Sequence, residues 1–558
     1  MLKPGQSLFS RPTCPIDPAP LTRCPACVAN GRMTQPEHYS PPLSAPLPPA
    51  PLPPATVQEI RLQRIVLAFL AALTVIRAYV AGTTLLSSDE AYYWNWIHPL
   101  QLSYFDHPAM VAYWIWGATR IFGETELGVR LPALLGGVAV TWLVWDCTLL
   151  VFQSRRIAAW SALWLNCTLL FCAATIVITP DTPLLVFWML GLWAAVRLIK
   201  TGQARWLYVA GFALGLGAIS KYTMALIVPG LLVTLLAFAP LRRWLKSPHL
   251  WVAGVIAAAC ASPVLIWNMQ NDYASFNKQL GHAFDTQIAH PWRNLGEFIG
   301  SQVGLVTPLM FGFVAWGMGW ALWQGWKHRR ADLFLLGATS LPLLMFFIQH
   351  TRSGVVQAHW SGPAYLGGVM AAVGAWHSLQ RPRLKVLFVL AAPLGALISL
   401  TIYFQATTAL LPIPIKVDAL KRLGGWNELA AAVGQERQAH PDVFLLVHKH
   451  EPTGSLSFYL PDHPPVFQRA GHIRPSYYTP QEVLALAGKD ALFITEVKDD
   501  GVSIVTQGFQ DVTLLRTVEL HWGKQVADRY RIYLCRNYKG GLMRIGNGID
   551  GDVDPATP

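Results

Sequence analysis

The chain is poor in charge. Only 13% of its 558 residues are Asp, Glu, Lys or Arg, whereas a typical soluble protein carries about 25%. Hydrophobic residues make up 53%, and the mean hydropathy is +0.35. This composition excludes an ordinary soluble protein and predicts a polytopic membrane protein. The net charge of +12 does not indicate a nucleic-acid partner, because the basic residues cluster between apolar segments, where they set membrane topology.

Cysteine is scarce as well. The eight cysteines do not form a disulfide framework, and four of them lie inside apolar segments, where cysteine behaves as a small hydrophobic residue: Cys147, Cys167, Cys172 and Cys260. The stretch "CPAC" (24–27) has the spacing of half a zinc site, but a fourth ligand at suitable spacing is missing. The cysteines therefore point to neither a disulfide-stabilised protein nor a structural zinc site.

Four segments differ in composition. Residues 1–58 are rich in proline, lack the h-region of a signal peptide, and are predicted to be disordered. Residues 59–410 alternate apolar runs with short polar loops and are predicted to form a membrane domain. Residues 411–540 contain one helical pattern, "GWNELAAAVGQERQ", and four strand patterns, "VFLLVHK", "ALFITEV", "VSIVTQ" and "RYRIYLCRN", which predict a small α/β domain. Residues 541–558 are glycine-rich and acidic, which predicts a disordered tail.

The apolar runs are long enough to cross a membrane, which takes about 20 residues. Eleven spans are predicted, near residues 62–86, 131–152, 157–178, 183–199, 206–220, 223–240, 250–269, 298–323, 332–348, 360–377 and 384–406. A further apolar stretch, 107–122, is short and has aromatic and charged neighbours, which favours an interfacial helix. The predicted fold class is an α-helical polytopic membrane protein, with about eleven or more transmembrane helices and a small C-terminal α/β extramembrane domain.

Arginine and lysine divide the loops into two sets. One set is rich in them, for example at Arg155–Arg156, Arg242–Arg243 and Lys327–Arg330, and the opposite set is longer yet poorer. Because positively charged loops stay in the cytoplasm, the N-terminus is expected inside. Residues after about 407 are then expected outside, as an odd number of spans requires.

The loops expected outside carry nearly all of the unusual polar residues. They hold Asp89, Glu90, Asp106, His107, Asp181, Lys221, Tyr222, His282 and Arg352. The loops expected inside offer mostly basic residues. The predicted topology therefore gathers carboxylates, cations and histidines at one membrane surface.

Several of these residues also have a structural interpretation. Asp181, in "TPDTP", could cap the following helix, and Arg120 and Arg130 could extend along the interface with their charged ends in water. Asp89 and Glu90 are harder to explain in this way, because two adjacent carboxylates directly after a span are costly unless paired or solvated. A functional role is therefore favoured most strongly for Asp89.

This residue set suits group transfer from a lipid-linked phosphate. A carboxylate such as Asp89, Glu90 or Asp106 can act as a general base toward an acceptor hydroxyl. Lys221 and Arg352 can neutralise a phosphate, and His282 with Glu90 could instead hold a divalent metal ion that serves the same end. The apolar part of such a donor would stay in the bilayer while its head reacts at the surface.

At these residues the sequence resembles a known family. The stretches "SSDEAYYWNW", "LSYFDHPAMVAYWI", "TRIFGETELGVRLPALL", "ITPDTPLLVFWML", "LGAISKYTMALIVPG", "SPVLIWNMQNDYASF", "QAHWSGPAYLGG" and "GGWNELAAAV" are similar to the bacterial membrane glycosyltransferases related to protein O-mannosyltransferases and to the aminoarabinose transferases of lipid A. The resemblance covers roughly residues 60–535. It implies the GT-C fold, an active site on the periplasmic side, and a polyprenyl-phosphate sugar as donor.

The resemblance also implies roles. Asp89 matches the catalytic carboxylate of the first loop, with Glu90 beside it, and Asp106 with His107 matches the second acidic motif of that loop. Asp181 matches the acidic residue that opens the second external loop, Lys221 a lysine expected to meet the donor phosphate, and His282 a fourth-loop histidine. The family more often has "DHPP" where this chain has Ala109 in place of the second proline.

The predicted function is therefore that of an inner-membrane glycosyltransferase. It would transfer a sugar from a polyprenyl-phosphate carrier to a periplasmic acceptor, which could be lipid A or another glycolipid, a polysaccharide or a protein. Membrane lipid is the other expected partner, and no cofactor is required unless the metal alternative holds. Two other hypotheses are a transporter or flippase of lipid-linked sugars and a non-catalytic scaffold. No internal repeat of the kind that transporters show is visible.

Overall fold

Apolar runs fold into helices over most of this chain, because a helix satisfies its own backbone hydrogen bonds away from water. The computed structural model describes residues 53–284, 290–376, 378–469, 480–499, 501–545 and 548–549. The side chains of residues 282–284, 480, 544–545 and 548–549 lie outside this description. Of the predicted proline-rich tail, only residues 53–58 are described, and Thr56 there already caps the first helix.

The helices, in chain order, are α1 Val57–Thr83, α2 Ser88–Asn95, α3 Met110–Phe122, α4 Glu126–Phe152, α5 Arg155–Asn166, α6 Leu169–Ala174, α7 Asp181–Thr201, α8 Arg205–Ala218, α9 Ile227–Ala237, α10 Pro248–Gln270, α11 Ala274–Phe284, α12 Pro291–Val306, α13 Pro308–Lys327, α14 Ala331–Ala338, α15 Leu341–His350, α16 Gly362–Trp376, α17 Pro382–Thr408, α18 Trp426–Ala439, α19 Glu451–Tyr459, α20 Pro480–Leu484 and α21 Val502–Gly508. The strands are β1 Phe444–Val447, β2 Val466–Gln468, β3 Ala491–Glu496, β4 Asp511–Trp522, β5 Gln525–Arg536, β6 Arg544–Ile545 and β7 Gly548–Ile549. Short 3₁₀ turns lie at Tyr222–Leu226, Ala239–Lys246, Ala358–Ser361 and Ala419–Leu423.

The helices support a multi-pass membrane protein. Within the described residues, six are long and apolar enough to cross a membrane: α1, α4, α7, α10, the pair α14–α15, and α17. The number rises to eight if each of two sharply bent helix pairs is one span. The eleven-span count is therefore not confirmed, since the predicted spans 157–178, 206–220 and 360–377 coincide with shorter helices.

One predicted span, 298–323, is not a continuous helix. The chain bends by 103° between α12 and α13, where Thr307 has a φ of +71° and Pro308 follows. Proline lacks the N–H that would continue the backbone hydrogen-bond ladder. The stretch 107–122, predicted as an interfacial helix, contains α3, which buries Val111, Ala112 and Ile115 along one face.

Small residues allow the helices to approach closely. A Cβ atom on Gly211 of α8 would lie 2.3 Å from the carbonyl oxygen of Ala253 in α10, and one on Gly215 would lie 2.5 Å from that of Ala257. Within a membrane the hydrophobic effect does not drive helices together, so such close packing is what associates them. The largest apolar core lies among α4, α5, α7, α13, α14, α16 and α17.

The C-terminal α/β region, residues 411–545, folds around a five-stranded sheet. The strand order is β2-β1-β3-β5-β4, with β1 parallel to β2 and β3, and β5 antiparallel to β3 and β4. The central strands are buried on both faces: alternate residues of β1 pack into two different cores, Leu445 and Val447 into one and Phe444 and Leu446 into the other. This explains why "VFLLVHK" is a continuous apolar run.

The predicted elements of this region are mostly confirmed. The stretch "GWNELAAAVGQERQ" covers all of α18 except its last residue, and "VFLLVHK" and "ALFITEV" contain β1 and β3. The stretch "RYRIYLCRN" covers the second part of β5, which begins four residues earlier, at Gln525. The strand predicted for "VSIVTQ" is wrong, because these residues form α21. Val502 and Val505 are three residues apart and face the sheet together, which is the spacing of a helix face. The predicted tail 541–558 includes the short pair β6–β7, and its other residues after 545 lie outside the described chain.

Candidate functional site

The polar residues singled out by the sequence lie at one end of the helical bundle. That end is formed where α1, α8 and α10 finish and where α2, α7 and the 3₁₀ turn at Tyr222–Leu226 begin. The connections there are short, so the helix ends hold their polar residues close together. The arrangement follows from the alternating direction of successive helices.

Helix α2 begins with a capping box that fixes two carboxylates. Ser87 accepts a hydrogen bond from the backbone N–H of Glu90, and the Glu90 carboxylate accepts one from the backbone N–H of Ser87. Asp89 therefore lies in the first turn, where the helix dipole favours a negative charge. Its side chain is exposed, whereas that of Glu90 is completely buried.

Glu90 is held inside the fold by Arg130 of α4. The guanidinium donates from Nε to Oε1 and from Nη2 to Oε2, both at 2.7 Å, and the side chains are 1% and 0% exposed. Arg130 does not extend to the interface, so that interpretation of the sequence is wrong. The carboxylate also accepts from Ile178 N–H and from the Ser87 hydroxyl. With so many donors around it, Glu90 has little capacity left for a metal ion.

We expect Arg130→Met to destabilise the protein strongly. The change leaves Glu90 as a buried charge without its partner, which typically costs about 3 to 5 kcal/mol. The double variant Glu90→Gln/Arg130→Met removes both charges and should recover much of this loss. Thermal unfolding in detergent measures both variants. Equal stability of Arg130→Met and wild type would show that the pair does not hold α2 in place.

A cavity of about 560 Å³ opens beside these helix ends. We call it the bundle cavity. Its lining comes from α2, the loop before α3, the turn after α8, α11, α15 with the loop that follows it, and the turn before α16. The lining residues are Tyr93, Asp106, His107, Lys221, Tyr222, Thr223, Ala225, Leu226, Lys278, Gln279, Leu280, Phe346, Phe347, His350, Ser353, Gly354, Val355 and Trp360. Charged groups and apolar side chains thus line the same space. The cavity can accommodate a ligand that is charged at one end and apolar at the other.

The first ion pair of this site joins Asp181 to Lys221. The Lys221 Nζ donates to both carboxylate oxygens of Asp181, at 2.9 and 2.8 Å, and each side chain is 8% exposed. His359 Nε2 lies 3.5 Å from the same carboxylate. Lys221 also lies over the ring of Trp360, 5.2 Å from its centroid. The interpretation of Asp181 as a helix cap is wrong, because Pro180 is the N-cap of α7 and no side chain caps this helix. Asp181 instead orients the lysine at the cavity wall.

The second ion pair joins Asp106 to Lys278 of α11. Asp106 accepts a further hydrogen bond from the Tyr92 hydroxyl at 2.7 Å, and its backbone oxygen accepts one from Gln279 at 2.8 Å. Lys278 also contacts the face of Phe105. The segment that contains α11 is thereby attached to the loop before α3, and a second lysine reaches the bundle cavity.

His107 lies among these four charges. Removal from water lowers its pKa to about 3, and the positive charges of Lys221 and Lys278 act in the same direction against the raising effect of Asp106 and Asp181. The imidazole is therefore neutral at physiological pH. It can donate or accept a hydrogen bond in the bundle cavity without adding charge.

Asp89 faces a different space. A second cavity of about 450 Å³, called the interface cavity here, lies between α2 and the C-terminal α/β region. It is lined by Ser88, Asp89, Lys421, Arg422, Gly424, Trp426, His450, Glu451, Glu496, Lys498, Leu520, Ala527, Asp528 and Tyr530. Burial lowers the pKa of His359, which lies 3.5 Å from Asp181, and the negative charge of Asp89 acts to raise it. Asp89 thus lines the interface cavity and also acts electrostatically on a histidine beside the first ion pair.

The remaining residues predicted for the site are Tyr222, Arg352 and His282. Tyr222 lines the bundle cavity, and its hydroxyl lies 2.8 Å from that of Ser275. Arg352 is exposed and does not line the cavity. The side chain of His282 lies outside the described residues. In the part of the chain that is described, no three His, Cys, Asp or Glu side chains are grouped as metal ligands. The hypothesis that Glu90 and His282 hold a metal ion is thus not supported at Glu90, whose carboxylate is occupied by other donors.

Lys278, His359 and Trp360 belong to the site although no individual role is predicted for them from the sequence. Lys278 and His359 do lie in the loops expected outside, so their position in the topology was a usable signal. Trp360 carried no signal of its own, because it is one of 23 tryptophans. Its role becomes visible only through its contact with Lys221.

Several known proteins are similar to this chain in sequence or in fold. A family model described as dolichyl-phosphate-mannose-protein mannosyltransferase matches residues 106–267. The chain is 29% identical over 294 residues to the lipid A galacturonosyltransferase RgtD of Rhizobium johnstonii, covering 51% of this chain and 59% of that protein. It is 26% identical over 275 residues to an undecaprenyl phosphate-alpha-4-amino-4-deoxy-L-arabinose arabinosyl transferase of an Enterobacter species, covering 46% and 47%. The chain thus spans about half the length of the curated relatives it matches.

The fold is similar to that of ArnT from Cupriavidus metallidurans. The apo structure of that protein matches with a TM-score of 0.59 at 16% identity, and the structure bound to undecaprenyl phosphate with 0.60 at 14%. Each match covers 84% of this chain and 98% of the other. The resemblance to membrane glycosyltransferases is therefore confirmed, and the chain has the fold of this GT-C group.

Proposed function

We propose that the chain is an integral membrane glycosyltransferase that moves one sugar from a polyprenyl-phosphate donor to an envelope acceptor. The observation that carries this proposal is the bundle cavity, which combines Lys221 and Lys278 with apolar side chains such as Leu226 and Phe347. A phosphate needs the cations, and a polyprenyl chain needs the apolar wall. Undecaprenyl phosphate is the ligand of the similar ArnT structure, which supports this class of donor.

In the proposed reaction an acceptor oxygen attacks C1 of the sugar from the face opposite the phosphate. The bond between C1 and the phosphate oxygen breaks, its electron pair leaves with the polyprenyl phosphate, and the configuration at C1 inverts. Lys221 neutralises the departing phosphate, while Asp181 keeps the lysine in position. If the acceptor is a hydroxyl, Asp89 takes its proton. If the acceptor is itself a phosphate, no strong base is needed.

The interface cavity supports an approach of the acceptor from the side of the C-terminal α/β region. It contains Asp89 together with several charged side chains, and a polar head group suits such a lining. The name of one curated relative, a lipid A galacturonosyltransferase, favours lipid A or a related glycolipid as the acceptor. Both relatives are transferases, which favours transfer over the transport hypothesis.

The direct test uses purified protein, a short-chain polyprenyl-phosphate sugar and lipid A. Donors carrying galacturonic acid, 4-amino-4-deoxyarabinose and mannose are compared. We expect one of them to give a glycosylated acceptor and free polyprenyl phosphate in equal amounts by mass spectrometry. Movement of intact donor across vesicles without cleavage of the sugar–phosphate bond would support the transporter instead.

The proposed orientation places the site in the periplasm of an inner-membrane protein. Reporter fusions after Arg156, Lys246 and Arg383 are expected to report the cytoplasm, because positively charged loops remain there. Fusions after Asn271 and Asp462 are expected to report the periplasm. Alkaline phosphatase and green fluorescent protein give opposite signals and serve as paired controls. A cytoplasmic signal at Asp462 would contradict this placement of the C-terminal α/β region.

A further inference from the structure

Helix α2 is held from two sides, although only one of them belongs to the helical bundle. On the bundle side, Arg130 binds Glu90. On the other side, α19 of the C-terminal α/β region packs along α2. The ring of Phe458 meets that of Trp94 edge-to-face, with centroids 5.0 Å apart and planes at 88°. The exposed Asp89 lies on the helix held between these contacts.

The closest contact is made by a glycine. A Cβ atom on Gly454 of α19 would lie 2.5 Å from the carbonyl carbon of Ala91 and 2.6 Å from its oxygen. No side chain fits at this distance without moving one of the two helices. Gly454 therefore allows α19 to lie directly against the backbone of the helix that carries Asp89.

A single tyrosine binds the start of α2. The hydroxyl oxygen of Tyr459, the last residue of α19, accepts a hydrogen bond of 2.7 Å from the backbone N–H of Leu86. Leu86 is completely buried and precedes Ser87, the N-cap of α2. Burial raises the pKa of the Tyr459 phenol, so the group is neutral and does not disturb the nearby Glu90–Arg130 pair. The contact fixes the chain three residues before Asp89.

We propose that the C-terminal α/β region serves the reaction by positioning α2, with Tyr459 as the positioning residue for Asp89. This inference rests on the proposed function only because that function assigns Asp89 the role of general base. The bundle side holds α2 through the Glu90–Arg130 pair, the Tyr92–Asp106 hydrogen bond and apolar packing against α3 and α4, but none of these contacts binds the backbone N–H of Leu86. Contact with α19 adds a second anchor at the N-cap and a continuous packing surface. Together they hold the Asp89 carboxylate at the wall of the interface cavity.

The test compares Tyr459→Phe with Tyr538→Phe in the full-length protein. Tyr538 is a matched control, because its hydroxyl also accepts a backbone hydrogen bond, from Leu542 at 3.2 Å, and it lies in the same region within a core that does not contact α2. For Tyr459→Phe we expect kcat to fall about tenfold with the donor KM within about twofold of wild type, since misplacement of a catalytic group acts on turnover. Tyr538→Phe should keep the wild-type kcat.

Hydrogen exchange of the segment containing α2 provides a readout that does not depend on activity. We expect faster exchange of residues 86–95 in Tyr459→Phe than in Tyr538→Phe, at a similar unfolding temperature. Gly454→Ala should increase exchange further and lower kcat by about 10², because the added methyl group separates the helices. Unchanged exchange in Tyr459→Phe, or equal kcat in the two tyrosine variants, would overturn the positioning role. A wild-type protein that transfers no sugar would overturn the proposed function and leave the exchange result standing.

Discussion

Asp89→Asn is expected to lower kcat by about 10² to 10⁴, the usual contribution of a general base. Asparagine keeps the size and shape of the side chain but removes its basicity. Because Asp89 lines the interface cavity and not the bundle cavity, binding of the polyprenyl-phosphate donor should change little. Turnover and donor affinity are measured on the same purified protein. A folded variant that binds donor and does not turn over is the expected result.

Glu126→Gln is a suitable control for this variant. Glu126 also lies in the first turn of a helix at this end of the bundle, and it lines neither cavity. Both substitutions remove a charge that interacts with a helix N-terminus, an effect of about 0.3 to 1 kcal/mol. A loss of kcat that is shared by both variants would be a stability effect. Retained turnover in Asp89→Asn would exclude Asp89 as the general base. A loss of donor binding as large as the loss of turnover would make Asp89 a binding residue.

The second large effect is expected at Lys221, and its pairing with Asp181 determines how it must be tested. Lys221→Ala removes the cation for the donor phosphate, but it also leaves the buried Asp181 carboxylate without its lysine. That loss of a buried partner costs about 3 to 5 kcal/mol of folding stability. The single variant therefore mixes a binding effect with a folding effect. The double variant Asp181→Asn/Lys221→Met carries no charge at either position and should restore most of the stability.

We expect this double variant to bind the donor at least about 10-fold more weakly than wild type. A hydrogen bond to a charged group contributes about 1.5 to 3 kcal/mol, and 1.4 kcal/mol corresponds to a factor of ten. Donor KM and the unfolding temperature are measured together. The control is Lys200→Met, since Lys200 binds Asp332 at 2.6 Å at the other end of the bundle. Wild-type donor KM in the double variant would leave Lys221 as a structural partner of Asp181.

The sequence was sufficient to predict most of the polar residues that gather at this end of the bundle. A span ends before Asp89, another begins at Asp181, and a short turn carries Lys221, so the alternation of spans places these residues at one end of the bundle. The structure places Asp106, His107, Lys221 and Tyr222 around one cavity. The strands β1, β3 and β5 were predicted for a similar reason, because a buried strand is a short apolar run between turn residues.

The sequence could not predict the partners. Glu90 and Arg130 are 40 residues apart, and Asp106 and Lys278 are 172 residues apart. Nothing in the local pattern of either residue shows which opposite charge it will meet. Arg130 was interpreted as a residue of the interface for this reason, since a lone arginine near a span end usually extends to water. The prediction of a strand for "VSIVTQ" is wrong because six residues with four β-branched side chains fit a strand and a short helix equally well.

Three features of the sequence by themselves determined that this is a multi-pass membrane protein with its candidate site residues at one end. They are the composition, the length of the apolar runs and the distribution of arginine and lysine. All three act through the free energy of transferring each segment from water to lipid, which depends only on the residues of that segment. Only the tertiary structure decided that Glu90 is an anchor, that Asp181 orients Lys221, and that Asp89 faces the C-terminal α/β region. These roles depend on which helices touch and at what distance, and small side chains such as Gly454 set that distance through contacts between residues far apart in the chain.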